Sequence, residues 1–232
     1  MAVETTDNPV GLGRAGDIRV DLLEISRMVE PGSRVLDIGC GDGDLLDVLV
    51  HQSGADARGL ELYREGVNAA VARGLSVVQG NADTDLVDYP DNGFDYVILS
   101  QTLQAMRDTR ECLRQMLRIG RRGIVSFPNF GHWRVRLKLS FGGRMPDTDT
   151  LDLPWYNTPN IHLCTIRDFV ALCDDLGITI EQGYTYTGGG KLVPSGSSLW
   201  RANVFGDQGL FVLSYDDDAR VAADGAGDSP AT

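Results

Sequence analysis

The stretch Val35-Leu36-Asp37-Ile38-Gly39-Cys40-Gly41-Asp42-Gly43-Asp44-Leu45-Leu46 limits what this chain can fold into more than any other. It reads as a short apolar strand, a tight turn with three glycines at alternate positions, and the start of a helix. Val35, Leu36 and Ile38 suit a parallel strand buried on both faces. The glycines let the backbone turn and approach a ligand where a Cβ would clash. The helix that follows presents unpaired N–H groups in its first turn, which favour acceptor atoms.

The spacing narrows the ligand. A dinucleotide fingerprint requires G-x-G-x-x-G; Gly39 and Gly41 fit, but Asp44 stands at the third position and Gly43 comes one residue early. A carboxylate at a helix start repels a pyrophosphate, and Asp37 adds a second negative charge. These acids suit a ligand with an ammonium group and no phosphate, such as S-adenosylmethionine (SAM). Asp37-x-Gly39-x-Gly41-x-Gly43 resembles the D-x-G-x-G-x-G motif of class I SAM-dependent methyltransferases. The competing reading is a strand–turn–helix whose glycines serve packing alone.

With 232 residues and 42% hydrophobic content, the chain can bury the core of one α/β domain. Its formal net charge of −12 argues against nucleic-acid phosphates as a partner. The apolar runs are too short for a membrane span. Met1-Ala2-Val3-Glu4 has no basic segment of a secretory signal, so a cytoplasmic setting is expected. Cys40, Cys112, Cys164 and Cys173 show no C-x-x-C spacing, so neither zinc nor a redox pair is signalled. Cys40, inside the ligand loop, is either alkylation-sensitive or a small buried thiol.

Residues 1–16 read as a flexible lead-in, residues 17–215 as the folded domain, and residues 216–232 as an acidic disordered tail. Helical spacing follows Asp17, with Ile18, Leu22, Ile25 and Val29 on one face. Strands are expected at 56–62, 75–79, 94–100, 123–127, 178–186 and 209–215, with helices at 64–73, 107–118 and after Thr165. Thr165 and Asp168 have capping-box spacing. Residues 188–198 read as a loop. This alternation predicts a parallel sheet with helices on both faces and a ligand at the strands' carboxyl ends.

Glu61 lies 24 residues after Asp37, where a ribose-binding acid is expected; a carboxylate accepts from both hydroxyls of an unphosphorylated ribose. The alternative is an exposed acid at a strand end. In class I methyltransferases the loop after the third strand holds adenine, and Asn81 and Ala82 match those positions, with Asp83 competing and a plain Asx turn as the other reading. The expected cofactor set is Asp37, Gly39, Cys40, Gly41, Gly43, Glu61, Leu62, Asn81, Ala82, Ser100 and Gln101. No acid, histidine or cysteine stands at the end of the fourth strand, so no catalytic base is identified there.

The second half carries a more specific pattern. Ser126-Phe127-Pro128-Asn129-Phe130-Gly131-His132-Trp133, Gly142-Gly143-Arg144-Met145-Pro146 and Trp155-Tyr156-Asn157-Thr158-Pro159-Asn160-Ile161-His162-Leu163-Cys164-Thr165 stand beside Ser100-Gln101-Thr102-Leu103-Gln104. Together these closely resemble the MetW family of methionine-biosynthesis proteins, over roughly residues 18–186. Asn129, His132, Trp133, Trp155, Tyr156 and His162 are expected at the rim of the ligand mouth, as a lid, a substrate pocket or a docking face. Either histidine can equally be a hydrogen-bonded structural residue.

The resemblance implies an α/β, three-layer Rossmann-like class I methyltransferase fold. Its sheet would be mostly parallel and seven-stranded, with the last strand antiparallel between the fifth and sixth. It also implies binding of SAM or S-adenosylhomocysteine, and partnership with homoserine O-acetyltransferase in the first committed step of methionine synthesis. A small-molecule methyltransferase is the alternative reading. A SAM-sensing regulator of nucleic acid is disfavoured by the acidic balance.

Overall fold

The computed structural model describes residues 20–143, 145, 158, 160–187, 191–194 and 198–215. The expected lead-in, the acidic tail and Asp17 lie outside them. Eight strands are joined in one sheet: β1 (Arg34–Ile38), β2 (Asp56–Glu61), β3 (Ser76–Gln79), β4 (Phe94–Ser100), β5 (Gly120–Pro128), β6 (Ile178–Thr187), β7 (Lys191–Pro194) and β8 (Gln208–Tyr215). Their order is β3-β2-β1-β4-β5-β8-β6-β7. β1 pairs in parallel with β2 and β4, and β4 with β5, while β8 runs antiparallel between β5 and β6.

The expectation of seven strands is corrected to eight. Lys191–Pro194 folds back antiparallel on β6, with Thr185 opposite Val193 and Tyr184 opposite Pro194. Gly188-Gly189-Gly190 and Pro194-Ser195-Gly196 hide this strand by flanking it with turn formers. Proline is tolerated there because β7 is an edge strand.

Side-chain alternation builds the three layers. In β4, Val97 and Leu99 face one cluster while Tyr96 and Ile98 face the other; in β5, Val125 and Ile124 divide the same way. Helices α1 (Val20–Met28) and α2 (Asp44–His51) cover one face through Leu22, Ile25, Leu46 and Leu49. Helix α3 (Arg64–Ala72) adds Ala70 to that face.

The short helix α4 (Ala82–Asp85) follows β3. On the opposite face, α5 (Thr109–Ile119) contributes Leu113, Met116 and Leu117. After β5 the chain forms α6 (Trp133–Gly142) and then α7 (Ile166–Asp175). Thr165 and Asp168 form the capping box of α7: the Asp168 N–H donates to Thr165 Oγ1 at 3.2 Å, and the Thr165 N–H to Asp168 Oδ2 at 3.0 Å. A helix unmarked in the sequence reading, α8 (Leu199–Phe205), precedes β8. Among the described residues, no helix is long and apolar enough to cross a membrane.

The α7 face centres on three buried phenylalanines. Phe127 lies 4.8 Å from Phe169 and 5.9 Å from Phe211 between ring centroids, and Phe169 lies 4.9 Å from Phe211. Truncating one ring leaves a cavity that the other two cannot fill without leaving their strand and helix. Phe127→Ala should therefore destabilise the domain by about 3–5 kcal/mol, measured as a lowered urea midpoint at unchanged slope. A loss below about 1 kcal/mol would show that the cluster is not the packing centre.

Candidate functional site

The glycine turn sits at the carboxyl end of β1, in the middle of the parallel half of the sheet. Gly39, Gly41 and Gly43 have φ of +73°, +57° and +89°, in the left-handed region. At Gly43 a Cβ would lie 2.5 Å from Leu75 Cδ1, whereas at Gly41 it would meet open space. The turn is closed toward the core and open where its middle faces outward.

Two buried carboxylates flank it, Asp37 at the end of β1 and Glu61 at the end of β2. Glu61 Oε2 accepts from the Gly41 N–H at 2.9 Å, and Oε1 accepts from the Tyr63 N–H at 2.7 Å. This carboxylate is not an exposed strand-end acid. It ties the two loops together, and each oxygen keeps a second lone pair for an incoming hydroxyl. Leu62 is exposed beside it. Asp44 takes a different part from the one expected of it. Arg73, which caps the end of α3, donates to its Oδ1 at 2.8 Å, so the acidity of the turn rests on Asp37 and Glu61 instead.

At the end of β3, Asn81 caps α4: its Oδ1 accepts from the Asp83 N–H at 3.0 Å, and its own N–H donates to Asp85 at 2.8 Å. The Asx-turn reading is thus realised. Ala82 begins the helix. Asp83 accepts from the Arg107 N–H at 2.9 Å, which joins this loop to the one after β4.

That second loop is the most constrained of the group. Gln101 has φ +55° without being glycine, a strain of the kind that clusters at functional sites. Its N–H donates to the Ser126 carbonyl at 2.9 Å, and its side-chain amide reaches Asp21 of α1 at 3.4 Å. Ser100 is the half-buried last residue of β4. Gln104 donates to the Gln101 carbonyl at 2.7 Å, yet its buried Oε1 has no hydrogen-bond partner among the described residues. A Cβ on Gly39 would strike Thr102, so this loop packs directly on the glycine turn. Asp21 and Gln104 are not in the expected site set; Asp21 meets Gln101 only through the fold, from 80 residues away along the chain.

The aromatic stretches divide. Asn129 is buried and makes four hydrogen bonds: Nδ2 donates to the Asn203 and Gly206 carbonyls at 2.8 and 2.7 Å, and Oδ1 accepts from the Gly131 and Ile166 N–H groups at 2.9 and 3.2 Å. It clamps β5, α7 and α8 together and exposes no surface at the rim. His132 is also buried. Its Nδ1 accepts from the Arg134 N–H at 3.4 Å as the cap of α6, and its Nε2 lies 3.4 Å from Asp207.

Trp133 is exposed on α6 under the Arg134 guanidinium. His162 reaches the Arg107 carbonyl at 3.2 Å, and its backbone N–H donates to Gln104. Trp155 and Tyr156 lie outside the described residues.

Burial holds the thiol of Cys40 far above its ordinary range, with Asp37 and Glu61 adding to the effect. It is therefore a packed, protonated thiol and a poor nucleophile. Burial likewise lowers the pKa of His132 from its ordinary 6.5, against the opposing pull of Asp207. The folded state thus prefers the neutral ring, while the unfolded chain takes up its proton first as pH falls. Stability from this site is full above pH 6.5 and declines as pH drops below it. Urea titrations at pH 7.5 and 5.5 should show a loss that is smaller in His132→Gln; an equal loss would place the titrating group elsewhere.

Comparison with known proteins follows the same lines. The profile of the family described as "Methionine biosynthesis protein MetW" matches residues 19–213. A bifunctional methionine biosynthesis protein MetXA/MetW of Rhodopirellula baltica is 36% identical over 174 residues, covering 71% of this chain and 28% of that relative. The aligned stretch is thus little more than a quarter of that longer protein. A demethylmenaquinone methyltransferase of Listeria monocytogenes is 28% identical over 183 residues, covering 72% of this chain and 76% of the relative.

Among solved structures, a SAM-dependent methyltransferase of Thermotoga maritima, a possible histamine N-methyltransferase, superposes with a TM-score of 0.61 at 15% identity, covering 86% of this chain and 91% of that one. At that identity the likeness speaks for the fold alone. On the profile match over most of its length and the Rhodopirellula relative, the chain belongs to the MetW family of methionine biosynthesis proteins.

Proposed function

We propose that this chain binds SAM at the carboxyl ends of β1 and β2 and works in the cytoplasm as a partner of homoserine O-acetyltransferase. The partner role is carried by one observation: the Rhodopirellula relative joins MetXA and MetW in a single chain. Physical linkage raises the effective concentration of two partners for each other.

The residues at the turn fit the ligand. Asp37 and Glu61 are buried acids on either side of a glycine turn that leaves open space at Gly41. In this reading Glu61 accepts from the ribose hydroxyls, and Asp37 balances the ligand's positive charge. Gln104 Oε1, a buried acceptor in the loop packed on Gly39, suits an ammonium donor. Leu62 offers an apolar edge beside Glu61. Asn81 and Ala82 occupy the loop assigned to adenine. Bound SAM supplies an electrophilic methyl group, but Ser100, Gln101 and Thr102 at the end of β4 bring no base toward it. As SAM is made from methionine, downstream of the pathway, its binding here would report product level to the acyltransferase.

The Listeria relative favours a second reading, a small-molecule methyltransferase. Methyl transfer can proceed largely by holding donor and acceptor in line, so a missing base does not oppose it.

The test is acyltransferase activity with and without this protein across a SAM titration. Stimulation that changes with SAM is the expected result. Equal kinetics with and without SAM would remove the feedback role, while absence of both stimulation and complex would favour the methyltransferase. Conversion of SAM to S-adenosylhomocysteine in the presence of a cell extract would then be the assay to run. At the site, Asp37→Asn should weaken SAM binding about tenfold or more at little loss of stability. Glu61→Ala should abolish binding and also lower the melting temperature, because the Gly41 and Tyr63 N–H groups lose their acceptor. Unchanged affinity in both variants would mean that the ligand lies elsewhere.

A further inference from the structure

Helix α6 is apolar on two faces, and the fold uses one of them. Its sequence, Trp-Arg-Val-Arg-Leu-Lys-Leu-Ser-Phe-Gly, places apolar residues at every second position from 133 to 141. On a helix this splits them into two stripes. Val135 is buried and Leu139 is half-buried, so this stripe holds the helix to the domain. The other stripe, Trp133, Leu137 and Phe141 at i, i+4 and i+8, is 40%, 45% and 86% exposed.

The start of the helix is anchored. Its first turn is capped by His132, and Arg136 donates to the Gly131 carbonyl at 2.6 Å. The turn before it is held by Asn129. Three large apolar side chains therefore project at fixed positions along one side of a ten-residue helix.

Charge tells what could cover them. Arg134, Arg136 and Lys138 lie within the helix, which contains no acid, in a chain whose formal net charge is −12. Arg134 stands over the Trp133 ring and carries its charge to the border of the stripe. An acidic protein with a local basic, aromatic helix matches a surface that is apolar at its centre and rimmed by carboxylates. Aromatic residues and arginine are the usual anchors of such contacts. The Rhodopirellula relative, which carries MetXA and MetW in one chain, favours a protein over an anionic membrane as the occupant of this face.

Resting on the partner role above, we propose that the Trp133–Leu137–Phe141 face of α6 is where the acyltransferase docks, through an apolar groove edged by Asp and Glu. None of these three residues belongs to the glycine turn or its flanking loops, so the face can be tested separately from the site at β1 and β2.

The test is binding of the full chain to homoserine O-acetyltransferase by surface plasmon resonance, with Leu137→Ser/Phe141→Ser and Arg134→Glu as variants. The double variant should bind about tenfold or more weakly, and Arg134→Glu should lower the association rate more at low salt than at high. Both should keep the melting temperature and SAM affinity of the parent chain. Equal affinity of the double variant would overturn the docking face and leave the partner role standing; no complex with the parent chain would overturn both. Loss of self-association, or of binding to phosphatidylglycerol vesicles, with the acyltransferase complex intact would assign the face to a second copy or to a membrane instead.

Discussion

The hydrogen bond from the Gly41 N–H to Glu61 is the interaction on which the rest of the site depends. It joins the turn after β1 to the turn after β2, and the same carboxylate holds the Tyr63 N–H. Backbone bonds from the Gly39 N–H to the Leu60 carbonyl at 2.7 Å and from the Gly43 N–H to the Cys40 carbonyl at 3.0 Å hold the turn beside it. The bond to Glu61 exists because β1 and β2 pair in parallel and in register, with Asp37 opposite Gly59 and Ile38 opposite Leu60, so that both turns emerge at one level. Gly66 completes the arrangement. A Cβ there would come within 2.9 Å of the Gly41 carbonyl, so α3 packs against the turn only because this residue has none.

Two further loops lock onto this centre by means other than apolar packing. The loop after β4 rests Thr102 against Gly39 and reaches α1 through the Gln101–Asp21 contact. The loop after β3 reaches it through Asp83 and the Arg107 N–H. His162 returns from a distant part of the chain to the same loop. Polar contacts of this kind specify geometry more than they add stability. The sheet, with its two apolar faces, supplies the stability, and the loops supply position.

The carboxyl end of β5 follows another logic. Asn129 satisfies all four of its hydrogen-bonding positions with backbone groups of three elements, and His132 caps α6 beside Asp207. These buried polar residues form a rigid mount, and α6 is what they mount. A helix anchored at its start and apolar on its outer side presents a second face that the described core does not use.

The strand–turn–helix at Asp37 to Asp44, the alternation of strands and helices and the capping box at Thr165 were legible in the sequence. Each rests on local chemistry: left-handed φ at glycine, periodicity of two or of 3.6, or a side chain reaching a backbone group three residues away. Family membership was legible too, in the aromatic and histidine stretches of the second half. The eighth strand and α8 were not, because short elements flanked by glycine, proline and serine carry little periodic signal. The assignments of individual polar side chains were the least legible. Asp44 goes to Arg73, Asn129 to α7 and α8 and His132 to Asp207, and in each case the partner lies 29 or more residues away along the chain. Sequence alone determines which residues can turn, cap or be buried. Tertiary structure alone decides which polar groups remain for a ligand or a partner, because that depends on which backbone groups have already claimed the others.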